Sequence, residues 1–342
     1  MLLQWKGLQI SKVLKKINLN EKIFVAGGSG MAGNAIVKNL IKKGYGKIEN
    51  GGLILNPTRK ELDLSQIDLV KKWFKKNKPT VVIIAAAKVG GILANFENPA
   101  TFILENLKIQ NNLIETSWQF GVKRLLFLGS SCIYPKFSEQ PIKEEYLLKG
   151  ELEKTNEYYA LAKISGIKLC ESLRKQYKFD AISLMPTNLY GPRDNYHPRN
   201  SHVIAALLKK FIEAKKMNLK KVTCWGTGKP RREFMHVDDL ANAVIFALEH
   251  WDTFSSDSPK DEKGEVLTYL NVGTGSDITI KQLAEKIANI VNYKSQIYWD
   301  NSKPDGTQKK LLDIKRINKL GWRATIGLEE GLKRTVDELL RK

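Results

Sequence analysis

At 342 residues, 42% hydrophobic and 27% charged, the chain has the composition of a globular protein big enough for one large or two modest domains. No run reaches the ~18 uncharged apolar residues of a membrane helix, and no secretory signal opens the chain, so a cytoplasmic protein with no membrane partner is expected. Three cysteines without C-x-x-C spacing make neither a disulfide framework nor a metal site, and the +20 formal charge is spread as lysine pairs without interleaved aromatics, which argues against a nucleic-acid partner.

Residues 1–20 read as an extension whose apolar residues recur at helical spacing. From Lys22 the pattern alternates: strand "KIFVAGG" (22–28), helix 30–46, strand "GGLILN" (51–56), helix 65–77, apolar strand "TVVIIAAA" (80–87), helix 99–121, strand "RLLFLGSS" (124–131), helix 156–177 and strand "AISLMPTNLYGP" (181–192). Strands apolar on both faces and separated by helices predict an α/β fold, a doubly wound parallel Rossmann sheet. After about residue 190 shorter strands (221–226, 269–273, 295–300), helices (202–216, 279–293) and a polar loop (252–265) predict a smaller mixed α/β substrate domain. The expected division is 21–190 for the dinucleotide and 191–342 mainly for substrate, with a return crossing into the first domain left open.

The first strand runs into Gly27-Gly28-Ser29-Gly30-Met31-Ala32-Gly33 at the mouth of a helix. Glycines there let a pyrophosphate approach backbone N–H groups at a helix N-terminus, which predicts a dinucleotide. Strand two ends at Asn56 where an acid would hold a ribose 2′-hydroxyl, and Arg59 and Lys60 follow, so NADP(H) is the expected cofactor; Asp63 is placed near the adenine. In "YYALAK", Tyr159 and Lys163 are four apart and share a helix face, whereas Tyr158 lies well round the helix. A lysine ammonium beside a phenol is expected to lower the phenol's pKa, so that Tyr159 can exchange a proton with a carbonyl oxygen.

These glycines, with Ser130 and Tyr159-x-x-x-Lys163, resemble the extended short-chain dehydrogenases/reductases. "AAAKVGGI", "LGSSCIYPK", "PTNLYGP", "NSHVIAALL" and "REFMHVDD" are similar to the GDP-L-fucose synthase family over residues 21–340. That family converts GDP-4-keto-6-deoxy-D-mannose to GDP-L-fucose by epimerising C3 and C5 and reducing C4 with NADPH, and its helices pair into a homodimer. The resemblance implies cofactor contacts from Leu128, Gly129, Ser130 and Ser131, from Pro186, Thr187, Asn188 and Leu189, and from Lys163 and His202. It further implies nucleotide-sugar contacts from Lys210, Trp225, Arg232 and Asp305. Ser29 stands where some members carry an arginine, so Arg59 is left to meet the 2′-phosphate.

A reductase needs Ser130 and Tyr159 on the ketone; a thiol nearby has another use. If the strand continues, Ser130 and Cys132 point to one side, roughly 7 Å apart, with Ser131 turned away. Protons beside a ketone are acidic because the enolate charge reaches oxygen, where Ser130 and Tyr159 would stabilise it. Cys132 is the candidate base and His202, one of four histidines, the candidate acid for the opposite face; His236 reads as structural. The Tyr159 helix has a second apolar stripe (Ile164, Ile167, Leu169) and helix "FILENLKIQNNLIETSW" (102–118) is similarly two-sided, and the resemblance implies that these helices pair in the dimer. The competing readings are another nucleotide-sugar 4-epimerase or dehydratase, and a basic non-catalytic nucleotide- or RNA-binding protein. A dehydratase would need an Asp–Glu pair where Ser131-Cys132 stands.

Overall fold

The alternation materialises as strand β1 (Lys22–Ala26), helix α1 (Met31–Lys42), β2 (Leu53–Leu55), α2 (Ile67–Asn77), β3 (Val81–Ile84), a short α3 (Ile92–Glu97), α4 (Pro99–Gln119), β4 (Arg124–Leu128), α5 (Glu157–Tyr177) and β5 (Ala181–Pro186). There follow β6 (Asn188–Tyr190), α6 (Val203–Lys216), β7 (Lys221–Trp225), β8 (Arg231–His236), α7 (Val237–His250), β9 (Tyr269–Val272), β10 (Asp277–Thr279), α8 (Ile280–Ile290), β11 (Gln296–Asp300), β12 (Lys309–Lys310), α9 (Lys315–Leu320) and α10 (Leu328–Arg341). This computed structural model describes residues 15–198, 200–303 and 305–341. Most of the helical spacing in residues 1–20 lies outside them, and residues 15–20 hold no helix.

Six parallel strands in the order β2-β1-β3-β4-β5-β9 form the main sheet, as a doubly wound fold requires. Every residue of β3 and β4 is buried, which is why both read as uninterrupted apolar runs. Arg124 is the exception: it ion-pairs with Asp180 and donates to the Trp251 carbonyl, so its charge is compensated inside the core. With β2 and β3 on opposite sides of β1, connections leave in both directions and a crevice opens at the strands' carboxyl ends.

The predicted strand 181–192 divides at Thr187. Its N–H donates to the Val272 carbonyl at 3.0 Å and its hydroxyl to the Glu233 carbonyl at 3.1 Å, so the chain leaves one sheet for another there. β6 then pairs with β8, which also carries β10 and β12; β7 and β11 form a separate parallel pair. A second core of Leu208, Phe211, Leu283, Ile287 and Leu332 lies under these elements. β9 adds to the main sheet beside β5, and α7 packs along α1.

The stripe expected on α5 is not a free face. Ile164 and Ile167 are 6% and 1% exposed and Leu169 packs against the same core, because α5 lies on the main sheet as well as along α4. The large apolar side chains that α4 and α5 do expose are Leu104, Tyr158, Leu161 and, at the end of α5, Tyr177.

Candidate active site

The phosphate loop is shaped by contacts that admit no side chain. Gly27 has φ +85°, and a Cβ there would sit 2.7 Å from the Ala86 nitrogen; one on Gly33 would sit 2.1 Å from the Gly27 carbonyl oxygen. Gly30 takes the N-cap of α1 without a side-chain cap, leaving the first-turn N–H groups free for an anion. The cradle therefore fits a pyrophosphate on its own geometry.

The expectation of an extended chain through Ser131 is corrected here. β4 ends at Leu128, and Ser131–Ile133 form a 3-10 turn because the Ser130 side-chain oxygen accepts from the Cys132 N–H at 3.2 Å. Strand alternation thus does not set the facing of Ser130 and Cys132; the turn does. Ser131 goes inward, 3% exposed, while Cys132 lines the cleft. The Ser130 side chain sits beside the Tyr159 hydroxyl and favours its ionised form, and the Asn156 side-chain nitrogen lies 3.3 Å from the Cys132 sulfur.

The phenol behaves oppositely to expectation. Desolvation at the Tyr159 hydroxyl pushes its pKa up, with the Cys132 side chain adding to the rise and Ser130 opposing it. Lys163 does not hold the phenol down, because its own buried ammonium, donating to the Leu128 carbonyl at 2.7 Å, is brought down to about 7 by desolvation. The ammonium instead lies 5.9 Å from the centre of the Tyr159 ring. His202 caps the start of α6 without a side-chain bond; its ring keeps contact with solvent, yet the crowded cleft lowers its pKa.

One cleft of about 1180 Å³ runs from the glycine loop to β7 and β8. Single-ligand pockets measure roughly 300–1,000 Å³, so this one has room for two sizeable molecules. Of the residues selected from the sequence, all but Gly28, Ser130 and Ser131 line it. Gly28 packs against Asn56 instead, and Ser130 reaches the cleft through Tyr159. Arg59 is exposed at the rim, and Asp63 is held by the N–H and hydroxyl of Ser65, which lowers its pKa.

At the other end Trp225 is 59% exposed, with the ammonium groups of Lys210 and Lys303 each 5.7 Å from the ring centre. Arg232 donates to the Thr307 and Arg231 carbonyls, whereas Arg231 pairs with Asp277. Asp305 accepts from the N–H and hydroxyl of Thr227, at 2.9 and 2.6 Å, and so ties its loop to the β7–β8 turn. His236, 1% exposed, accepts from the Asp238 N–H as the cap of α7, a structural role.

Several cleft residues escaped the sequence reading. Lys136 and Glu153 form an ion pair at 3.1 Å, and Thr307 donates to the same carboxylate. Outside that lining, Arg193, at φ 65°, reaches back from the β6–α6 loop to donate to the Ser29 carbonyl at 3.3 Å. No local pattern marks either; Asn156 alone carried a signal, as an amide at a helix start. Among the described residues no group of His, Cys, Asp and Glu could hold a metal ion.

The model of the NAD dependent epimerase/dehydratase family matches residues 23–258. A rice (Oryza sativa) protein described as a probable GDP-L-fucose synthase is 50% identical over 92% of this chain and 90% of its own. The chain belongs to the GDP-L-fucose synthase family, within the extended short-chain dehydrogenases/reductases. Solved structures place the family's fold on it as well. A GDP-6-OMe-4-keto-L-xylo-heptose reductase from C. jejuni matches with TM-score 0.86 and 38% identity, covering 95% of this chain and 99% of the other. A GDP-L-fucose synthetase from Naegleria fowleri bound to NADP matches with TM-score 0.83 and 27% identity, covering 97% of both chains. The fold and the family together make this an enzyme that uses a nicotinamide dinucleotide and a nucleotide sugar.

Proposed function

We propose that the protein converts GDP-4-keto-6-deoxy-D-mannose to GDP-L-fucose, with NADPH as its cofactor. The observation that carries this reading is that Cys132, His202 and the Ser130–Tyr159 pair meet the glycine cradle in one cleft. An ordinary reductase has no use for the first two.

The residues divide the work as follows. Arg59, Arg193 and the glycine loop bind and orient the cofactor, which when bound supplies a hydride to C4. Lys210, Trp225 and Arg232 hold the nucleotide end, a cationic and aromatic surface suited to a purine diphosphate. Ser130 and Tyr159 hydrogen-bond the C4 oxygen. Cys132, as thiolate, takes the proton from C3 or C5; the C–H electron pair moves into the enolate, and its charge rests on the oxygen held by those donors. His202 returns a proton to the carbon from the opposite face, inverting it, and both side chains re-equilibrate with solvent. After both inversions Tyr159 delivers the proton that O4 needs as C4 is reduced.

Residues 21–190 serve the cofactor and 191–342 mainly the substrate, with α7 and β9 returned to the first unit. The exposed Leu104, Tyr158 and Leu161 are the proposed homodimer face. Three unpaired thiols suit a reducing cytoplasm. The likeness to a GDP-heptose reductase supports a second reading, C4 reduction without inversion. One experiment separates the two: solvent deuterium is followed into C3 and C5 of the keto-sugar. Wild type should exchange both positions and Cys132→Ser should lose most of the exchange while still binding NADPH. Absence of exchange in wild type would leave a simple reductase, and undiminished exchange in the variant would remove Cys132 as the base.

A further inference from the structure

We infer that Asn156 is a positioning residue for Cys132, donating its side-chain N–H to the sulfur so that the thiolate is favoured and aimed into the cleft. The inference rests on the reading of Cys132 as the base. Three observations converge on it. Asn156 occupies the N-cap of α5, where an asparagine ordinarily accepts a hydrogen bond from the first turn; here it makes no side-chain cap. Its Nδ2 instead lies 3.3 Å from the Cys132 Sγ. Its Oδ1 is buried without a partner, so the amide has given up the helix and left an acceptor unsatisfied. An arrangement unfavourable on both counts for stability belongs to a site where the N–H is needed elsewhere.

The chemistry follows from what sulfur accepts. An anionic sulfur is a far better acceptor than a neutral thiol, so an N–H held against it favours the charged form. The contact also restricts the Cys132 rotamer, which fixes the angle at which the sulfur meets a substrate carbon. Other charged and titratable groups share the cleft: Arg232 from β8, Tyr159 from α5, the Lys136–Glu153 pair from the connection between β4 and α5, and His202 at the start of α6. Among these the amide of Asn156 is the group whose hydrogen-bond donor meets the sulfur. It sits three residues before Tyr159, so the same helix start that presents the phenol also presents the donor.

The test is alkylation of Cys132 by iodoacetamide in the full-length, cofactor-free protein, followed peptide by peptide so that buried Cys170 and Cys224 do not contribute. In Asn156→Ala the rate at pH 7 should fall about tenfold yet match wild type at pH 10, a pH at which ordinary thiols are ionised. The exchange of C3 and C5 hydrogens at pH 7 should fall in parallel while NADPH affinity stays within about twofold. Asn156→Asp preserves shape and can cap α5, so it covers the case in which the alanine variant does not fold; its carboxylate faces the sulfur and should slow alkylation at pH 7 at least as much. Equal rates to wild type at pH 7 in either folded variant would overturn the inference. A loss of the same size at pH 7 and pH 10 would also overturn it, by showing a general disturbance of the site. Should Cys132→Ser retain exchange, the base assignment falls instead, which the alkylation result does not depend on.

Discussion

Replacing Lys163 with methionine probes the electrostatics of the cleft without any substrate. This ammonium is 3% exposed, donates to the Leu128 carbonyl, and has its pKa brought down from 10.5 to about 7 by desolvation. A depression of that size corresponds to at most about 5 kcal/mol of stability, at ~1.4 kcal/mol per pH unit. The sign follows from proton counting: between pH 7 and 10.5 the unfolded chain holds a proton that the folded chain has released, so stability rises with pH across that window. The cost is fully present below pH 7 and gone above 10.5. Lys163→Met removes the ionisation and also the donor to Leu128, whose loss costs about 1–3 kcal/mol at every pH. Comparing two pH values cancels the second effect. Urea unfolding of the cofactor-free proteins should therefore show the variant's stability relative to wild type falling by about 2–3 kcal/mol from pH 6 to pH 9. A difference that stays constant within ~0.5 kcal/mol, or moves the other way, would mean that the ammonium is not desolvated.

Two more predictions concern the cofactor end. Gly33→Ala pushes a methyl to 2.1 Å from the Gly27 carbonyl oxygen, a backbone atom, so the loop must shift. It should lose about 1–3 kcal/mol of stability and at least tenfold in NADPH affinity by fluorescence titration, and an unchanged affinity would contradict the cradle geometry. Arg193→Ala should raise the KM for NADPH about threefold to tenfold, as expected for losing one charge-assisted contact, with little change in kcat; a change confined to kcat would place Arg193 elsewhere in the reaction.

Much of the site was legible because its signals are local. The glycine spacing, the Tyr159–Lys163 interval and the apolar runs of β3 and β4 each follow from backbone geometry within a few residues. The facing of Cys132 was reached by an argument that fails: a side-chain cap from Ser130 converts the expected strand end into a turn. Likewise Ile164 and Ile167 carry the pattern of a free stripe, and only the packing of α5 on the sheet and along α4 shows them to be core.

By itself the amino-acid sequence determined the order of strands and helices, the phosphate loop and the candidate chemistry of Ser130, Tyr159, Lys163, Cys132 and His202, since residue type and short spacing carry that information. Tertiary structure alone decided which charges those groups hold and who their neighbours are. Desolvation raises Tyr159 and lowers Lys163 only because both are enclosed by segments far apart in the chain. Arg193 reaches Ser29 across 164 positions and Asn156 meets Cys132 across 24. Burial and long-range contact are properties of the folded volume, and no window of sequence contains them.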